Sequence, residues 1–68
     1  MSNLGEQIAQ RRKYFKLSQM DLAEMSGVSI RTVSSIENGN VNPSIGILSK
    51  ILKTLGLVIT LQERIIHE

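Results

Sequence analysis

Three serines, Ser18, Ser29 and Ser44, each open a segment with helical periodicity, and three glycines, Gly27, Gly39 and Gly56, close those segments in turn. A serine hydroxyl accepts a hydrogen bond from an orphan amide in the first helical turn. A glycine adopts the left-handed conformation that ends a helix. This punctuation confines residues 18–56 to short helices, none longer than about three turns, joined by tight connections. The chain has 68 residues, enough for one domain.

The side-chain pattern fills in the elements. A first helix is predicted over residues 2–16, where Leu4, Ile8 and Phe15 recur at helical spacings and set an inward stripe. Arg12 falls on that stripe and needs a partner, because an unpaired buried charge is costly. The second helix runs from Ser18 to near Ser26. Asp21 sits three residues after the cap, where its charge favours the positive end of the helix dipole. Leu22 and Ala23 point inward, while Met20 and Met25 suit either core or surface.

In the third helix, starting at Ser29, positions advance about 100° per residue. Val33 and Ile36 define its buried side. Arg31, Ser34, Ser35 and Asn38 fall opposite, with Ile30, Thr32 and Glu37 on the flanks. Residues 40–43 form a loop. The fourth helix runs over residues 44–55, with Ile45, Leu48, Ile51, Leu52 and Leu55 in a wide apolar stripe. Gly46 inside it costs about 1 kcal/mol relative to alanine; the sequence supplies no reason for it, and close helix approach is compatible with it.

After Gly56 the pattern changes. Residues 57–62, LVITLQ, are rich in β-branched side chains and read as a strand. The competing reading is a fifth helix, with Leu57, Leu61 and Ile65 at spacings of four. A strand without a neighbour leaves both edges unpaired. An antiparallel pairing with the same strand of a second copy, about a two-fold axis, resolves that. The expected fold class is all-α: four helices, with a C-terminal β-strand that pairs in a dimer. Residues 1–56 form the domain and residues 57–68 the dimerisation strand and tail.

Eight basic residues against six acidic ones give a mild positive balance. Arg11, Arg12, Lys13 and Lys16 cluster within one turn and a half; such a cluster is either a solvated helix face or a nucleic-acid contact. With no cysteine, a disulfide framework and a cysteine-ligated zinc are excluded. His67 is the one histidine and has no second ligand at metal spacing, so no metal or cofactor is expected. The glycines punctuate helices instead of forming a phosphate-binding motif, and a domain this small has little room for a pocket of about 300 Å³ or more. An enzyme is therefore not expected. The N-terminus turns polar at once, and no run reaches the roughly 18 apolar residues of a membrane span. A reducing cytoplasm is the expected setting.

Residues 19–26, a turn at Gly27 and Val28, and residues 30–38 make a helix-turn-helix pattern. The longer stretch LSQMDLAEMSGVSIRTVSSIENGNVNPSIGILSKILKTLGL, residues 17–57, resembles the Xre family, which contains the Cro and lambda-type phage repressors. The LSQ…LA opening, the GVS turn, the IENG ending and the NPS start of the fourth helix match in order and spacing.

The resemblance implies a lambda-repressor-like domain that binds double-stranded DNA, with the third helix as recognition helix. Gln19 matches the glutamine that contacts a phosphate. Ser29, Ile30, Arg31, Ser34 and Ser35 fall at positions facing DNA. Arg31 reads a guanine or holds a phosphate. Ile30 meets a thymine methyl or packs on the second helix. Thr32 lies on the flank, in reach of the backbone. Asn38, Asn40 and Asn42 stand where the loop approaches phosphates, although turn chemistry explains Asn42 before Pro43. Arg12 and Glu37 match a structural ion pair between the first helix and the recognition helix.

The tail, LVITLQERIIHE, resembles the HipB-like antitoxins, which dimerise through a C-terminal strand. By that resemblance Leu57, Ile59 and Leu61 form one face of a two-stranded sheet, and Val58 and Thr60 the other. Ile65 and Ile66 extend the strand, meet a partner protein, or fray. The function implied is a homodimeric, sequence-specific regulator, a repressor acting on a pseudo-palindromic operator, with a toxin protein as a further partner if it is an antitoxin. The alternative is a protein-interaction module that does not read DNA.

Overall fold

Each helix begins with a polar side chain that holds the first turn. The computed structural model describes residues 3–60, in the order α1 (Leu4–Tyr14), α2 (Gln19–Ser26), α3 (Ile30–Glu37) and α4 (Ile45–Thr54). Asn3 caps α1 by accepting from the Glu6 amide at 2.9 Å. Ser18 caps α2 in a reciprocal box. Its hydroxyl accepts from the Asp21 amide, and its own amide donates to Asp21 Oδ2, both at 2.9 Å. Ser29 and Ser44 accept from the Thr32 and Ile47 amides at 3.1 and 3.2 Å. Each such cap stabilises its helix by about 1 kcal/mol.

Gly27 ends α2 with φ 72°. The first helix stops differently: Lys16 takes φ 59°, a left-handed position held by a residue with a side chain.

The core is Ile8, Leu22, Ala23, Val28, Val33, Ile36, Ile51, Leu52 and Leu55, with Leu17, Ile47, Leu48 and Leu57 packed around it. Helix α2 packs on both α3 and α4, and α1 packs on α3. The inward placement of Leu22, Ala23, Val33 and Ile36 agrees with the sequence pattern.

Other expectations need correction. Leu4 and Phe15, placed on the inward stripe of α1, are exposed. Leu4 is the first helical residue and Phe15 caps the end, so only the turns between them face the core. The helix is two residues shorter at each end than its periodicity suggests. Ile45 is exposed for the same reason, as the first residue of α4. Met20 and Met25 are both on the surface.

Close helix approach occurs at Gly5, not Gly46. A Cβ added at Gly46 would meet only Ser44 Oγ, at 3.9 Å. One added at Gly5 would collide with the Ile36 carbonyl oxygen and lie 2.9 Å from that of Glu37. Gly5 thus lets the start of α1 rest directly on the end of α3.

Among the described residues there is no strand, and residues 57–60 are not helical either. Of the expected strand, Leu57, Val58, Ile59 and Thr60 follow α4 without regular secondary structure; Leu61 lies outside the described residues, as do Ile65, Ile66 and His67.

Candidate nucleic-acid interface

A buried polar cluster ties three elements together behind α3. The Arg12 guanidinium meets the Glu37 carboxylate in a two-pronged contact, Nε to Oε2 at 2.7 Å and Nη2 to Oε1 at 2.9 Å. Its Nη1 donates to the Leu17 carbonyl at 2.7 Å. Gln19 Nε2 donates to Glu37 Oε1 at 3.1 Å. One carboxylate at the end of α3 therefore fixes α1 through Arg12 and the start of α2 through Gln19. Fork-to-carboxylate geometry is among the strongest protein hydrogen bonding.

The electrostatics follow the contacts. The hydrogen bond to Glu37 raises the Arg12 pKa against the opposing effect of burial, with the carboxylate charge adding to the rise. Burial pushes the Glu37 carboxyl up. Hydrogen bonds from Arg12 and Gln19, with the positive charges of Arg12 and Lys13, outweigh it and leave the pKa lowered. Both groups are ionised near neutrality.

The far side of α3 is open. Ser29, Ile30 and Arg31 are exposed, Thr32, Ser34 and Ser35 are half-buried, and Asn38 and Asn40 are exposed beyond them. Among the described residues Arg31 has no carboxylate partner. The Ser29 hydroxyl is engaged, since it accepts from the Thr32 amide and lies 2.9 Å from Thr32 Oγ1. Asn38 caps α3, and the Asn40 amide returns to the Ser35 carbonyl at 2.9 Å. Within α3, Val33 and Ile36 are buried while Arg31, Ser34 and Ser35 keep access to solvent, and Asn38 lies just past the helix end. Gln19 joins them only through its bond to Glu37.

The basic cluster of α1 divides. Arg12 is buried. Arg11 donates Nε to the Leu55 carbonyl at 3.1 Å, tying α1 to the end of α4. Its guanidinium also lies 5.2 and 4.9 Å from the ring centres of Tyr14 and Phe15. Two of the four cations are thus committed inside the fold, leaving Lys13 and Lys16 exposed. The Arg11 contact spans 44 residues of sequence, and no local signal announces it. Gly5 had a visible signal, a glycine inside a helical segment, but the same signal at Gly46 marks no close approach.

Four helices, with the second and third joined through a left-handed glycine and the third presenting an open polar face, define a helix-turn-helix domain of the Cro and lambda-repressor type. Residues 8–60 match the helix-turn-helix family HTH_3, and the chain belongs to that family.

Over 53 residues, 78% of the chain, it is 40% identical to the HTH-type transcriptional regulator PuuR of Escherichia coli (strain K12), and equally to PuuR of Shigella flexneri. That match spans only 29% of those relatives' length. The fold is similar to the restriction-modification controller protein C.AhdI from Aeromonas hydrophila, with TM-score 0.75 and 30% identity over 78% of this chain and 80% of that one. It is also similar to a chain in the SinR protein/SinI protein complex, with TM-score 0.78 and 38% identity over 82% of this chain and 55% of that one.

Proposed function

We propose that the chain binds double-stranded DNA sequence-specifically as a homodimer and regulates transcription, repressing from a pseudo-palindromic operator. The observation that carries this reading is the open face of α3, where Arg31 stands exposed among small hydroxyl side chains and, among the described residues, without a carboxylate partner. Short side chains let a helix lie deep in a major groove about 12 Å wide. Arg31 reads a guanine through N7 and O6, and Ser34 and Ser35 sit against base edges. Ile30 packs on a thymine methyl.

Gln19 spends one amide hydrogen on Glu37; the other suits a phosphate oxygen. Ser29 and Thr32 border the backbone, and Asn38 and Asn40 approach phosphates past the helix end. The transcriptional regulators to which the chain is similar support the regulatory reading. Leu57, Val58, Ile59, Thr60 and Leu61 join the two copies. The likeness of the tail to HipB-like antitoxins supports a toxin protein as a further partner.

Selection of bound duplexes from random sequence tests the proposal. The expected product is a two-fold symmetric motif with half-sites about 10–10.5 base pairs apart, centre to centre. Arg31→Ala relaxes one position of each half-site and costs about 1–3 kcal/mol. Uniform weakening on every sequence would assign Arg31 to phosphate instead. Duplex affinity that does not fall with added salt would overturn DNA recognition and favour the protein-interaction module.

A further inference from the structure

An open hollow of about 430 Å³ lies between the end of α2 and the second half of α4, lined by Met25, Ser26, Lys50, Lys53 and Thr54. Its free hydrogen-bond donors come from the lysines. The Ser26 hydroxyl donates to the Leu22 carbonyl at 2.6 Å and the Thr54 hydroxyl to the Lys50 carbonyl at 3.0 Å, so both hydroxyl hydrogens turn back into their own helices. Lys50 and Lys53 are exposed and one helical turn apart. Neither has a carboxylate partner among the described residues. Helix α4 contains no acidic residue, and Glu24, the neighbour of Met25 in sequence, does not line the hollow. Met25 adds an apolar surface that is 60% exposed.

A cation in the last turn of a helix complements the helix dipole, and Lys53 does this for α4. That use calls for one cation and no methionine, so it leaves Lys50 and Met25 unexplained. The pair of ammonium groups asks for two anions about one turn apart, and Met25 asks for an apolar group beside them. A phosphate backbone supplies the anions and nothing for Met25. A helix with acidic residues three or four positions apart and an apolar stripe next to them supplies both. Methionine suits such a surface because its side chain adapts to what it meets. We propose that this hollow docks an acidic, amphipathic helix of a partner protein, with carboxylates on Lys50 and Lys53 and an apolar side chain on Met25. Helix α2 packs on both α3 and α4, and no residue of α3 lines the hollow. Partner and duplex therefore use different surfaces, and the docking site stands whether or not α3 reads DNA.

The test uses an end-capped synthetic peptide of about 15 residues, long enough to form a helix, with glutamates three and four apart beside leucines. One twin carries glutamine for each glutamate, and a second carries serine for each leucine. Each is titrated into the full chain, labelled with nitrogen-15, and followed by the amide resonances.

The expected result is a set of shifts centred on Met25, Ser26, Lys50, Lys53 and Thr54, with affinity falling as salt rises. Both twins bind more weakly. The double variant Lys50→Gln, Lys53→Gln loses about fivefold or more in affinity, and Met25→Ser loses about as much. All three side chains are exposed, so the variants keep the core and are expected to retain the parent's helical circular dichroism. No shift at about 1 mM peptide overturns the proposal. So do shifts centred on α1 or α3, or a glutamine twin that binds as well as the acidic peptide. A duplex of arbitrary sequence that moves the same resonances at lower concentration than the peptide assigns the hollow to nucleic acid instead and overturns the protein partner.

Discussion

Replacing Glu37 with alanine leaves the Arg12 guanidinium in a site built for a carboxylate. The Arg12 and Glu37 side chains are 10% and 5% exposed, so water cannot easily take the place of the lost partner. Three of the contacts around the pair end on Glu37, two from Arg12 and one from Gln19. Breaking a buried pair by removing one partner costs about 3–5 kcal/mol. A domain of this length has about 3–10 kcal/mol of total stability, at roughly 0.05–0.15 kcal/mol per residue. Glu37→Ala is therefore expected to lose roughly 30% or more of the folding free energy.

The double variant Arg12→Met with Glu37→Leu removes both charges and restores apolar volume, and is expected within about 1 kcal/mol of the parent or above it. Urea unfolding followed by circular dichroism measures all the variants on one scale. The reasoning fails if Glu37→Ala costs less than about 1 kcal/mol, or if the double variant is as damaged as either single one.

Acid should act on the same pair. The Glu37 pKa is lowered in the folded chain from its ordinary 4.5, so its contribution is complete above about pH 4.5 and lost as the pH falls through the lowered folded value. Unfolding midpoints across pH 2–7 are expected to drop below about pH 4.5 in the parent, and to drop less in the Arg12→Met, Glu37→Leu background. Gly5→Ala pushes a methyl group into the Ile36 carbonyl and is expected to cost about 1–3 kcal/mol by thermal unfolding. Gly46→Ala finds open space and is expected to stabilise by up to about 1 kcal/mol; a loss there would show that the first turn of α4 is not relaxed.

What the sequence made legible was local. Ser18, Ser29 and Ser44 cap the helices they were expected to cap, because an N-cap acts within three residues and its partner amide is always at hand. The buried side of α3 followed from the period of its own side chains. Arg12 was legible at one remove, as a charge on an inward stripe that had to find an acid. Arg11, its neighbour, was not. Its partner is a bare carbonyl at Leu55, and any of the chain's carbonyls is an equal candidate until α1 and α4 have been placed.

The same limit explains Gly5 and Gly46. Both are glycines near a helix start, and only the approach of another backbone separates them. It also explains why the open face of α3 was easier to name than to populate. Which residues turn outward is a property of one helix. Whether Gln19 joins them depends on Glu37, held in place by Arg12 from a third element. In this chain the outward face of α3 is written locally, while its rigidity is supplied by contacts that only the assembled fold can reveal.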